Sequence, residues 1–253
     1  MSGPKKLAFF LPNSFTALNM GCGFVSILLS FKGNFYYGCM ILLLGAIFDS
    51  VDGRVARMTG TQSQFGEQFD SLSDLISFGM APAFLCYNRF LVDHGRAGII
   101  VAFIFTLCGA LRLARFNANI DKVSSNYFQG LPIPSGAICT VGLVLISTEF
   151  DFITKFSPVA MVYIVFIGLL MISNVPFNSF KDSSIIKKHR KAVFFGMIIA
   201  GALTLIHEQI MIFGFINLYV IGSLIYYMTH RSSMGDMFQW NEAEGEDEET
   251  PAV

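Results

Sequence analysis

Charge is scarce in this sequence. Of its 253 residues, 14% are charged and 53% hydrophobic, where soluble domains carry roughly 25% charge. That scarcity excludes an ordinary soluble domain. Alternation of apolar and polar residues is also missing. The apolar residues run in continuous blocks of about 20, the length that crosses a bilayer as a helix. In lipid every backbone N–H and C=O must be satisfied internally, which leaves helices or closed barrels. Continuous blocks select helices. Paired cysteines are absent too. Cys22, Cys39, Cys86, Cys108 and Cys139 sit inside apolar blocks without a CxxC pair, so they read as small buried hydrophobes. The start, MSGPKKLAFFLPNSF, has no small-residue cleavage site at the right distance, and no removable signal peptide is expected.

What is there is a series of apolar blocks. Eight candidate spans lie near 14–31, 35–58, 67–91, 97–117, 133–150, 157–175, 192–208 and 210–229. The expected fold class is all-α, a polytopic membrane helical bundle over residues 1–232. Residues 233–253 form an acidic tail that lacks aromatics after its start and is expected to be solvated and disordered. Basic residues favour every second connection. Lys5 and Lys6 precede span one, and Arg57 ends span two. Arg112, Arg115 and Lys122 follow span four. Lys181 and the KKHRK run Lys187–Lys191 lie between spans six and seven, and Arg231 follows span eight. Lys32, Arg89, Arg96 and Lys155 are spread thinly over the other connections. Positive charge stays on the cytoplasmic side. Both termini are therefore expected in the cytoplasm, together with the connection between spans two and three.

That connection holds the unusual feature. DSVDGRVARMTGTQSQFGEQFDSLSD, Asp49 to Asp74, has five acidic residues and two arginines. At about 100° per residue, Asp49, Asp52, Gly53 and Ala56 share one helix face. Gly66, Asp70 and Asp74 share another. MTGTQSQF supplies a polar turn between them, so two antiparallel helix ends can present four carboxylates to each other. Burying one Asp at bilayer depth costs at least ~2.5–3.5 kcal/mol, and four anions repel. Arg54 and Arg57 cannot neutralise four carboxylates and Glu67. Oxygen-only ligands suit a hard divalent cation, Mg²⁺ or Mn²⁺. Two such ions are a standard clamp on a phosphoryl group in displacement chemistry. Gly53 lets a bulky ligand approach the backbone, Ala56 and Gly66 let helices approach closely, and Arg57 suits a phosphate oxygen.

Asp49-x2-Asp52-Gly53-x2-Ala56-Arg57-x8-Gly66-x3-Asp70-x3-Asp74 resembles the CDP-alcohol phosphatidyltransferase signature at every position. The resemblance implies a membrane enzyme with a six-helix core, typically a homodimer, that moves a phosphatidyl group from a CDP-alcohol to a hydroxyl and releases CMP. It implies two metal ions bridged by Asp49 and Asp70, with Asp52 completing one site and Asp74 the other. Asp74 would also be the base that takes the acceptor proton. Gly53, Arg57 and Ser63 would touch the CDP-alcohol. The first-span stretch PNSFT resembles the family's nucleotide-contacting segment, which adds Asn13 and Thr16.

The signature leaves the acceptor open. SLSDLISFGMAPA (71–83), GALRLARFN (109–117) and GLPIPSGA (130–137) resemble the integral-membrane phosphatidylserine synthases. CDP-diacylglycerol and L-serine are then the expected substrates, in a cell (inner) membrane with the site facing the cytoplasm. No nucleic-acid partner is expected. Serine's carboxylate needs a cation, and Arg112 and Arg115, with Asn117, stand at the cytoplasmic end of span four. Siblings that use inositol phosphate or glycerol phosphate would need a denser basic pocket. A CDP-archaeol donor stays open, because nothing in the sequence reveals the lipid tails. A cation transporter would spread its acids along a pathway; here they cluster at one end of two helices. The prolines of GLPIP shape the start of span five. KKHRK fits topology and also attraction to anionic head groups.

Overall fold

The computed structural model describes residues 4–118, 127–178, 201, 203, 204 and 206–234. Lys122, Lys181, the KKHRK run, most of the candidate span 192–208 and residues 235–253 lie outside them. Among the described residues are seven long or medium helices and one short two-stranded ribbon. Five of the helices are long and apolar enough to cross a bilayer. The chain is a polytopic helical membrane protein.

Helix α1 (Pro4–Phe31) and helix α2 (Phe35–Thr59) form an antiparallel hairpin. Span one was expected near residue 14, but the helix begins ten residues earlier and passes through Pro12. Proline removes one backbone donor without changing the apolar pattern, so the helix tolerates it at a local cost. Asn13 therefore lies inside α1 and not at its start. Close packing on α1 depends on missing side chains: a Cβ at Gly23 would come within 2.7 Å of Ser77 Cα.

Helix α2 stops at Gly60, whose φ of 62° is left-handed and therefore suits glycine. The chain turns, and Ser63 caps the next helix by accepting a hydrogen bond from Gly66 N at 3.1 Å. Helix α3 runs from Gln64 to His94. It is regular to Asp74, then carries π-helical segments at Leu75–Met80 and Tyr87–Leu91. Such wide turns shift the phase of the residues that follow.

Helix α4 (Arg96–Ala118), the central α5 (Ile133–Glu149), α6 (Ser157–Ile172) and α7 (Glu208–Met234) complete the set. The short strands β1 (Tyr127–Gln129) and β2 (Pro176–Asn178) pair antiparallel, with Phe128 opposite Phe177. They join the ends of α4 and α6 on the side that carries the acidic residues. The core gathers around α5, where Ile133, Ala137, Val141, Val144 and Leu145 are fully buried. They meet Cys39 and Leu42 of α2, Phe78 and Leu85 of α3, and Ile164 and Ile167 of α6. All five cysteines are buried and unpaired, as small core residues. Large apolar side chains such as Phe24, Phe103, Val162, Leu218 and Met228 point outward. On a soluble protein that would be a liability; in hydrocarbon it is the expected surface.

Candidate active site

The turn between α2 and α3 makes the two helices antiparallel, and their facing sides bring the acidic residues together. Asp49, Asp70 and Asp74 each offer one carboxylate oxygen, and the three oxygens lie within 4.8 Å of one another. Asp52 stands beside this trio, near enough to Asp70 for their charges to interact. Its Oδ2 accepts a hydrogen bond from Thr16 Oγ1 at 2.7 Å, so α1 fixes the orientation of an α2 carboxylate. Among the described residues the ion pair is Arg89 with Asp151, and none of the four aspartates is in it. Asp70 Oδ1 is buried without a hydrogen-bond partner.

Converging carboxylates with an orphaned oxygen are unstable unless a cation joins them. The donor set is oxygen only, with no histidine or thiolate among these four residues. It fits a hard divalent ion of the Mg²⁺ or Mn²⁺ type.

A pocket of about 170 Å³ opens beside the acids, between α1, α2 and the start of α3. Asn13, Thr16, Gly53, Ala56, Arg57, Ser63 and Gly66 all line it, together with Asp52 and Asp70. The absent side chains make the space. A Cβ on Gly66 would sit 3.3 Å from Ser63 Oγ and 3.5 Å from Asn13 Oδ1, and one on Gly53 would sit 3.5 Å from the Arg57 guanidinium. Pro12, Thr61, Gln62 and Glu67 also line the pocket. Sequence reasoning missed these four. Three of them fall in or beside the signature's unspecified turn, and that position was the available signal. Asn19 was missed as well: its amide donates to Asp74 Oδ1 across 3.4 Å.

The three residues considered for an acceptor diverge. Arg112 is buried in α4, with its guanidinium carbon 5.4 Å from the centre of the Phe116 ring. Its charge and that of Asp74 interact. Among the described residues no hydrogen bond from Arg112 is present. Arg115 is engaged elsewhere. It donates to the carbonyls of Ile172 (2.8 Å), Gln129 (2.9 Å), Met171 (3.2 Å) and Ser173 (3.2 Å), and reaches Asn174 Oδ1 at 3.5 Å. It thereby ties α4 to β1 and to the end of α6, where a cation also meets the helix dipole favourably. Gly130 passes under this clamp with φ of 76°. A Cβ on Gly130 would meet Met171 O at 2.4 Å, so this close approach needs glycine twice over. Asn117 donates to Ser71 Oγ at 2.9 Å, next to Asp70.

The family description CDP-alcohol phosphatidyltransferase matches residues 9–172. The chain belongs to the CDP-alcohol phosphatidyltransferase family. The matched stretch runs from the pocket end of α1 to the end of α6 and includes all four aspartates. The chain is 34% identical over 218 residues to a CDP-diacylglycerol–serine O-phosphatidyltransferase of Helicobacter pylori, covering 86% of this chain and 90% of that one. It is 41% identical over 167 residues to an enzyme of the same name from Methanocaldococcus jannaschii, covering 66% and 73%. It is also 40% identical over 181 residues to an archaetidylserine synthase of Methanothermobacter thermautotrophicus, covering 70% and 74%. As a CDP-alcohol phosphatidyltransferase, the protein is a membrane-embedded transferase of phospholipid synthesis.

Proposed function

We propose that this transferase moves the phosphatidyl group of CDP-diacylglycerol to the hydroxyl of L-serine, giving phosphatidylserine and CMP. The observation that carries the acceptor is Arg112. It is one buried guanidinium facing Asp74, without a hydrogen bond among the described residues. One fixed cation matches one carboxylate, with bidentate geometry available. An inositol phosphate or glycerol phosphate brings close to two negative charges; Arg115, whose charge reaches Arg112, already has its guanidinium engaged by main-chain carbonyls. The names of the relatives point the same way. The archaetidylserine synthase among them keeps CDP-archaeol as a second reading of the donor, with the same head-group chemistry.

In this reading Asn13, Thr16, Gly53, Ala56, Arg57, Ser63 and Gly66 cradle the cytidine and pyrophosphate, with Arg57 on a phosphate oxygen. Asp49, Asp52, Asp70 and Asp74 would together hold the two divalent ions. When bound, the ions would polarise the pyrophosphate and offset charge on departing CMP. Asp74 accepts the proton of the serine hydroxyl, and the serine oxygen attacks the phosphorus that carries the diacylglycerol in direct displacement. Asn117 orients the α3 surface through Ser71. The architecture we infer is an eight-span bundle over residues 1–232 with a six-helix core, a homodimer in the inner membrane. The site and both termini face the cytoplasm.

The test is CMP release by purified protein in detergent with CDP-diacylglycerol and Mg²⁺ or Mn²⁺. Serine, inositol phosphate and glycerol phosphate are compared as acceptors, and CDP-archaeol as a second donor. Release that needs serine and metal is expected. Release only with a phosphorylated acceptor would overturn the assignment of Arg112.

A further inference from the structure

Two buried side-chain atoms among the described residues lack a hydrogen-bond partner: Asp70 Oδ1 and Asn19 Oδ1. The first belongs to the acidic trio. The second belongs to a residue outside the signature, on the face of α1 that packs against α2 and α3. Asn19 is fully buried and held on three sides. Its main-chain carbonyl accepts from Ser77 Oγ at 2.9 Å. Its Nδ2 donates to Asp74 Oδ1 at 3.4 Å. Its Oδ1 lies against α2 at Gly45, where a Cβ would stand 3.0 Å from that oxygen and 3.0 Å from Cys22 Cβ. Gly45 precedes Asp49 by four residues, so it lies one turn away on the same face of α2.

An apolar residue would fill this seam without an unsatisfied oxygen, and leaving a buried acceptor unpaired is costly. The amide is explained by what its nitrogen does. We propose that Asn19 is a positioning residue for Asp74: it pins one carboxylate oxygen and leaves the other for the centre shared with Asp49 and Asp70. A neutral donor suits this task. A lysine or arginine there would neutralise Asp74 and compete with a metal ion, whereas an N–H from an amide fixes orientation and leaves the charge in place. Partners that orient a metal ligand typically account for 10–100-fold in metal affinity or activity. Gly45 supplies the room that lets the amide lie across the α1–α2 seam. The inference rests on reading the trio as a metal centre.

The experiment separates the two claims. Mn²⁺ is titrated into the purified full chain in detergent without either substrate, and free Mn²⁺ is read by electron paramagnetic resonance. The proteins are wild type, Asn19→Leu, Gly45→Ala and Asp70→Asn. Asn19→Leu is close to isosteric but has no donor. It is expected to weaken Mn²⁺ binding about 10–100-fold and lower kcat, while KM for serine and the metal-free unfolding midpoint hold. Mn²⁺ affinity equal to wild type in Asn19→Leu overturns the inference. If that variant does not fold, Gly45→Ala serves instead. It keeps Asn19 but crowds its oxygen, and unchanged Mn²⁺ affinity there overturns the inference equally. Failure of wild type to bind Mn²⁺, or wild-type affinity in Asp70→Asn, removes the metal centre itself and this inference with it.

Discussion

Asp74 joins three helices at one carboxylate. It lies on α3, shares a centre with Asp49 of α2, and receives a hydrogen bond from Asn19 of α1. Asp74→Asn keeps the shape and removes the carboxylate proposed as the base. Turnover should fall to background while binding of CDP-diacylglycerol largely survives; a variant that still releases CMP would remove Asp74 from the role of base. Arg112 and Arg115 look equivalent in GALRLARFN, three residues apart, and the fold gives them different work. Arg112→Gln should raise KM for serine at least about tenfold, the loss of one charge-assisted hydrogen bond of about 1.5 kcal/mol or more. Binding of CDP-diacylglycerol should be unchanged. Arg115→Ala strands several carbonyls and should cost at least about 2 kcal/mol of stability, read as a lowered unfolding midpoint in detergent. A serine KM that rises in Arg115→Ala without loss of stability would return Arg115 to the acceptor site. The acidic residues were legible because one-face spacing survives any detail of packing. Asn19 was not, since a single amide in an apolar helix has no pattern around it.

At the scale of elements, the turn from α2 to α3 decides the site. Gly60 ends one helix and Ser63 starts the next, so the two acidic faces meet at a fixed offset. Ser63→Ala removes the cap to Gly66 N and should cost about 1 kcal/mol. Because Ser63 also lines the pocket, KM for CDP-diacylglycerol should rise. Ser63→Asp, which restores the cap without the hydroxyl, should recover stability alone; equal KM in all three proteins would show that Ser63 only caps. Most helix limits were readable from the apolar blocks, since bilayer thickness sets their length. The early start of α1 was not, because Pro12 reads locally as a breaker while packing holds the helix through it. The π-helical segments of α3 were not readable either. They lie where α3 packs against α1 and α4, and no residue type specifies them.

For the whole molecule, the acidic centre makes a binding-linked prediction. Mg²⁺ or Mn²⁺ at 100 times its dissociation constant should stabilise the fold by about 2.7 kcal/mol. Chelation should abolish CMP release and return the unfolding midpoint to its metal-free value. A midpoint indifferent to both ions would argue that the trio holds no metal. The sequence by itself determined the membrane class, the helical architecture, the family and most, but not all, of the residues around the pocket. The first two follow from composition and block length, and the family and the pocket residues from the resemblance carried by the Asp49–Asp74 signature and PNSFT, all of them properties of the chain alone. The tertiary structure decided the rest. It gave Arg112 and Arg115 different partners, tied Asn117 to Ser71, oriented Asp52 through Thr16, and brought Asn19 of α1 to Asp74 across 55 residues of chain. Helical spacing fixes which side chains share a face. Which face meets which neighbour is fixed by packing, and packing is set by all the helices at once.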